Sequence, residues 1–378
     1  MIPNWQRQAA LRVMFGLWCV LAAAAADAQL TFNLTTTGDP LADAGFQRAA
    51  DYLSSQFDDA ITVNITAGFT SLGPTILGQA SSEGDFYSFT DWKVAMGGDV
   101  VSADDASYVA ALPAGSSFSV FLNRTADNPH GSGSATPYVD NDGGANNTSV
   151  RLNRANAKAI GLVAANDVGV DAAITFSSDF TFDFDPSDGI DAGAIDFVGV
   201  AIHEIMHAMG FESGVDILDG NSPDSGSTFY AADAFKYVTP LDFTRHSADS
   251  LLAGADLDWT ADTRSKLYSI DGGATTLIAD AWSTGVVHGD GRQASHWRDG
   301  LGIGIMDPTA MPAGSVNVVS ANDLQALDVI GWNATLSPVP EPSTWVMAGL
   351  AMAGIAWSRK RRPRHTSQCQ SSQRASPA

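Results

Sequence analysis

The order of periodic segments predicts an α+β domain with a twisted, mostly antiparallel or mixed sheet. Three observations carry that reading: an amphipathic helix and a strand near the start, alternating strands in the middle, and a strongly apolar helix directly after them. "DAGFQRAADYLSSQF" (43–57) repeats Phe46, Ala50, Leu53 and Phe57 at three- and four-residue steps, which predicts a helix. "AITVNITAGF" (60–69) alternates apolar positions as a strand does. "GSGSATPYVDNDGGANNTS" (131–149) has the Gly/Asn/Asp composition of a loop, and "RLNRANAKAIGL" (151–162) is expected to be helical. "DAAITFSSDFTFDF" (171–184) alternates like one or two antiparallel strands, and its "AITFSSDFTFDF" part suits a sheet edge. A helix from Asp196 to Met209 follows, with Val198, Ile202, Ile205 and Met209 on one apolar stripe. "SANDLQALDVIGW" (320–332) opens on a capping Ser or Asn and stops at Gly331, so it closes the domain as a helix. No tandem repeat is visible.

Both ends of the chain are read as processing segments. Arg7 and Arg12 precede an apolar run at 13–26, and Ala26-Asp27-Ala28 has the small-x-small pattern that signal peptidase cuts, so 1–28 is taken as a signal peptide. A membrane-spanning helix there is disfavoured, because a span needs roughly 20 apolar residues. At the other end stand Pro340-Glu341-Pro342, an apolar stretch from Trp345 to Trp357, and the basic cluster Arg359, Lys360, Arg361 and Arg362. This segment, 336–364, resembles the PEP-CTERM sorting signal of Gram-negative bacteria; a polar tail follows at 365–378. The resemblance implies a transient inner-membrane anchor with the basic cluster in the cytoplasm, then cutting by an exosortase. A permanent single-span anchor is the alternative. On either reading the body of the chain, 29–335, lies outside the cytoplasm, bound for the cell surface or extracellular matrix.

Removing the ends sharpens the composition. Both cysteines, Cys19 and Cys369, go with them, which excludes a disulfide or thiolate ligand in the exported body. Residues 29–341 keep 12 basic against 41 acidic residues, a net charge of −29. That balance argues against nucleic acid or an anionic membrane as partner. Three Asp-rich stretches, 140–147, 183–191 and 216–224, suit oxygen ligation of Ca²⁺, but none has EF-hand spacing and solvated acidic loops fit the same composition.

The chemistry sits in "AIHEIMHAMGF" (201–211). His203, Glu204 and His207 form H-E-x-x-H, and residues four apart on a helix share one face, so two imidazoles address one point as tetrahedral Zn²⁺ requires. Glu204, beside the first ligand, is placed to act as general base on a metal-bound water and then as acid toward the leaving amine. Gly210 suits the left-handed residue that ends a helix. Two histidines leave the site incomplete. Three residues past the glycine stands Ser213, which is not a credible zinc ligand. A distant Glu is excluded, because none lies between Glu212 and Glu341. Asp216 remains, although its offset fits no known pattern; His130 and His246 lie in polar loops, and His288 and His296 lie in 286–311.

Within that last segment, Ser295-His296-Trp297 is followed by Ile305-Met306-Asp307-Pro308. H-E-x-x-H-x-x-G-F, a long insertion, then His-Trp before a methionine turn resembles the ligand spacing of leishmanolysin-type metzincins. The resemblance implies a metzincin-like zincin fold with His296 as third ligand, 89 residues beyond His207, and Met306 as the non-coordinating Met-turn residue. His288 stays as the rival ligand. The matched motifs are narrow, roughly 195–211 and 294–308, and the disulfides and C-terminal domain of leishmanolysins are missing. A coil of that length is unusual, so the insertion, 212–295, is expected to hold structure of its own. The expected activity is that of an exported zinc metalloendopeptidase acting on protein or peptide substrates. The alternatives are a non-enzymatic surface or matrix protein with a structural zinc, and a zinc amidase or esterase on a non-protein substrate.

Overall fold

Phe46, Phe176 and Phe197 meet at the centre of the fold, with ring centroids 5.1 Å apart for the first pair and 4.7 Å for the second. These three rings come from the first helix, an inner strand and the start of the histidine-bearing helix, so one aromatic contact joins the main layers. The structure is a computed structural model and describes residues 29–223 and 228–335. The signal peptide and the sorting segment lie outside the described residues.

The chain begins with β1 (Thr31–Leu34), α1 (Pro40–Ser54), β2 (Thr62–Thr70) and β3 (Gly78–Ser82). It continues through β4 (Gly84–Ser88), α2 (Phe89–Asp99), α3 (Ala103–Ala111), β5 (Val120–Leu122), β6 (Tyr138–Asp140) and α4 (Ala145–Thr148). Next come β7 (Ser149–Asn153), α5 (Arg154–Ala159), β8 (Ala172–Ser177), β9 (Phe182–Asp183), β10 (Ile195–Asp196) and α6 (Phe197–Met209). The remainder holds α7 (Val215–Gly220), β11 (Arg245–His246), α8 (Ala248–Ala253), β12 (Leu257–Asp258), β13 (Leu267–Tyr268) and α9 (Ala321–Asp328). This is a mixed α+β architecture with several small sheets around one larger one.

The larger sheet has the order β1-β2-β8-β3, with β1, β2 and β8 parallel and β3 antiparallel to β8. Ala172, Ile174 and Phe176 of β8 are fully buried, which suits a strand flanked on both sides. Two expectations are corrected here. Segment 171–184 gives one strand, β8, that is antiparallel to β3 but parallel to β2, while β9 pairs in parallel with β10; and β8 is an inner strand, the edges of the sheet being β1 and β3. Helix α6 packs against α1 and β3. Its approach to α1 depends on Gly45, where a Cβ would stand 2.6 Å from Phe197 Cδ1.

Helix α1 starts at Pro40, three residues earlier than periodicity suggests, because the Asp39 side chain caps the Leu41 and Ala42 amides. Segment 151–162 is only half helical. Val150 and Leu152 are fully buried at two-residue spacing, so the stretch begins as β7, antiparallel to β4, and α5 is short. The 131–149 loop also contains β6 and α4, where Asp140 accepts from Asn146 Nδ2 at 2.8 Å. The insertion does hold structure: α7, α8, β11 to β13 and two 3₁₀ turns at Ala232–Ala234 and Pro240–Thr244. Parallel pairing of β12 with β5 ties it to the first half of the chain.

The described end of the chain is held by carboxylates. Asp59 accepts from Asn333 N at 2.9 Å, and Asp328 from Ala334 N at 3.0 Å and from Ser102 Oγ at 2.8 Å. Burial pushes the Asp59 and Asp328 carboxyls up to about 6. Asp99 rises to about 7, through burial first and then repulsion from Asp59, Asp105 and Asp328. A carboxyl with a raised folded-state pKa binds more protons folded than unfolded, so stability falls as pH rises through that value. Asp99→Asn is therefore expected to raise the Tm at pH 8, with an advantage that shrinks by pH 5. A pH-independent effect in parallel thermal melts contradicts this.

Candidate metal centre

Helix α6 is buried over almost its whole circumference; Glu204 is 7 % exposed, and His203 and His207 are partly buried. Asp196 caps its start by accepting from Gly199 N at 2.9 Å. Gly210 ends it at φ +115°, a left-handed conformation that costs glycine little. The turn sends Phe211 inward against Trp282 and Trp297, at 5.8 and 5.2 Å between centroids.

His203 and His207 are joined at one point by His296. The three Nε2 atoms form a nearly equilateral triangle: 3.1 Å from His203 to His207, 3.2 Å from His203 to His296, and 3.2 Å from His207 to His296. Each Nδ1 faces a main-chain carbonyl oxygen, of Ile305 at 2.8 Å, Phe211 at 2.7 Å and Gln293 at 3.4 Å respectively. A carbonyl only accepts, so each Nδ1 carries the proton and each Nε2 keeps a lone pair. Burial lowers the pKa of all three rings. It takes His207 down to about 3 with help from His203, and His296 well below its ordinary value with help from His207 and His203.

Three neutral acceptors thus converge with no proton between them. A cation bound between them would offset that mutual repulsion. Zn–N bonds of about 2.0–2.1 Å in a tetrahedron place ligand nitrogens about 3.3 Å apart, close to the spacing found. The donor set and the geometry therefore fit zinc. Among the described residues no other group of three or more His, Cys, Asp or Glu side chains meets the same test of closeness.

The rival ligands stand elsewhere. The Asp216 carboxylate accepts from Ala294 N at 2.6 Å and Ser295 N at 3.1 Å, so it grips the segment bearing His296. His288 Nε2 faces the Ser222 carbonyl, and its amide donates to Asp219 at 2.8 Å. The Asp-rich loops spend carboxylate oxygens on main chain: Asp183 accepts from Asp185 N and Asp191 N, both at 2.9 Å.

Met306 is fully buried in a turn whose preceding residue, Ile305, supplies the carbonyl for His203. The turn hangs on a residue that the sequence reading left unassigned. Asp323, fully buried, accepts from Trp297 Nε1 at 2.8 Å, Ile305 N at 2.8 Å and Met306 N at 3.3 Å. It also accepts from Ser320 N at 2.7 Å while Ser320 Oγ caps its amide, a reciprocal capping box at the start of α9. Ser320 and Asp323 at that spacing are the local signal that marks it.

Glu204 lies between α6 and β3. The Ala80 amide donates to its carboxylate, and a Cβ on Gly78 would come 3.0 Å from its Cγ and Oε1. Burial raises the Glu204 pKa to about 8 against that hydrogen bond. A nearby cation favours the charged carboxylate and opposes the rise.

Residues 338–362 match the PEP-CTERM protein-sorting motif, in agreement with the reading of the chain's end. The motif marks an exported protein that is sorted to the cell surface and processed by an exosortase. Among the described residues no helix is long and apolar enough to cross a membrane. No curated protein and no solved structure matches the chain.

Proposed function

We propose that the exported chain is a zinc-dependent metalloendopeptidase of metzincin type, with His203, His207 and His296 as ligands and Glu204 as general base. One observation supports this most: three imidazoles, His296 buried and His203 and His207 partly buried, converge through Nε2, with each Nδ1 facing a main-chain carbonyl. Zinc, when bound, supplies a Lewis acid that polarises a carbonyl and lowers the pKa of water toward 7. Glu204 accepts the proton of the attacking water and returns it to the leaving amine. Met306 shapes the floor of the site without coordinating.

Strand β3 is the natural seat for an extended substrate. Ser177 N donates to Leu77 O and Glu83 N donates to Asp171 O, so odd-numbered residues of the strand bond β8. Gly78, Ala80 and Ser82 then turn their main-chain groups to the sheet edge, where the Ala80 amide meets Glu204 and Ser82 O meets Arg151, so a peptide adding as a further strand pairs at Gly78 and the Ala80 carbonyl. The lack of a side chain at Gly78 lets that peptide pass close to Glu204. A purely structural zinc is the second reading. It gives no use to a carboxylate held between the histidine helix and a sheet edge.

Glu204→Gln is expected to keep zinc at one equivalent while lowering casein hydrolysis about 10²- to 10⁴-fold, as the loss of a general base implies. His296→Ala is expected to lose zinc and hydrolysis together. Metal analysis beside a peptidase assay checks both; wild-type turnover in Glu204→Gln rules out the assigned base.

Gly78→Val places a branched side chain against Glu204 and the proposed peptide path. The expected outcome is full zinc content with hydrolysis reduced at least tenfold. Unchanged hydrolysis removes β3 from the substrate path.

A further inference from the structure

Ser213 and Asp216 occupy the stretch where a nearer third ligand would stand, and both instead reach the segment that carries His296. Asp216 accepts from Ala294 N at 2.6 Å, Ser295 N at 3.1 Å and Ser295 Oγ at 2.6 Å. The Ser213 amide donates to Ser295 Oγ at 2.9 Å. From the other side comes Arg245 on β11, fully buried, whose Nη1 donates to Ala294 O at 3.0 Å and Nη2 to Ser283 O at 3.0 Å. Ala294 is therefore held at its amide by a carboxylate and at its carbonyl by a guanidinium.

Ser283 extends the grip. Its amide donates to His296 O at 3.1 Å and its hydroxyl to Trp297 O at 2.8 Å. Arg245 also lies over the Trp282 ring at 5.4 Å, and Trp282 stacks on Trp297 at 4.2 Å. This support matters most for His296. Its own Nδ1 contact, 3.4 Å, is the longest of the three, whereas His203 and His207 are fixed by their helix and by contacts of 2.8 and 2.7 Å. The orientation of the third ring depends on how firmly its main chain is held.

We infer that Asp216 and Arg245 are positioning residues which clamp the Ala294–Ser295 main chain and so hold His296 ready for the metal. The inference rests on the zinc reading proposed above. It gives the insertion a role: residues 212–295 carry both halves of the clamp and deliver the third ligand that the motif helix lacks. Burying the two opposite charges costs desolvation, which their mutual attraction and the main-chain partners of both side chains offset in part.

Co²⁺ binding to the purified full chain tests this. Asp216→Asn replaces an acceptor oxygen with an amide nitrogen that cannot accept from Ala294 or Ser295. Ser295→Ala removes one hydroxyl and leaves both buried charges in place with their main-chain partners. Loss of an outer support to a metal ligand typically weakens affinity about 10- to 100-fold. Asp216→Asn is expected to weaken Co²⁺ affinity by that factor in chelator competition, and Ser295→Ala by a smaller one. In both, weaker visible d–d bands should mark water replacing His296, a change that lower stability alone would not produce. If Asp216→Asn does not fold, Ser295→Ala decides. Folded variants with wild-type affinity and spectrum overturn the clamp but leave the zinc reading standing. Wild-type chain that takes up no Co²⁺ overturns the zinc reading, and the clamp with it.

Discussion

The convergence of three imidazole Nε2 atoms within 3.2 Å of one another is the constraint on which the rest of the structure depends. Neutral acceptors repel at that distance, so the surrounding protein must hold them together. Two rings come from successive turns of one buried helix, where the spacing itself aligns them. The third arrives from 89 residues further along and has no such local constraint. The buried charged groups Asp216, Arg245 and Asp323 hold that one segment and the turn after it.

Asp323 and the Asp216–Arg245 pair divide this task. Asp323 joins Trp297, the turn at Ile305 and Met306 and the start of α9, so the closing helix fixes the far side of the His296 segment. Asp216 and Arg245 fix the near side. Buried carboxylates that each accept several amide hydrogens are costly to desolvate but strongly directional once satisfied. A ligand segment tied in this way loses little further freedom when a metal binds, which favours affinity.

The motif helix was legible because its signals are local: His203 and His207 one turn apart, an apolar stripe, and Gly210 at the stop. Fixing those positions needs no knowledge of the rest of the chain. His296 was reached through resemblance to the spacing of a known family rather than from its own surroundings. Strand β3, "GQASS", was not foreseen, since it is short and polar and becomes a strand by pairing with β8, almost a hundred residues away. The same non-local pairing moved the sheet edge from 173–184 to 78–82. Segment 151–153 reads as helix because the buried pair of strand β7, Val150 and Leu152, shows strand spacing over too few positions to outweigh the helix formers that follow. Asp323 carried a local signal as a capping residue, but its bonds to Trp297, Ile305 and Met306 exist only in the folded chain.

The most direct measurement is anomalous diffraction at the zinc edge from crystals of the purified chain. The account predicts one strong peak about 2.0–2.1 Å from Nε2 of His203, His207 and His296, with Asp216 and His288 outside the coordination sphere. A zinc-soaked crystal with no peak among these three nitrogens, or with the ion held by another set of side chains, contradicts it.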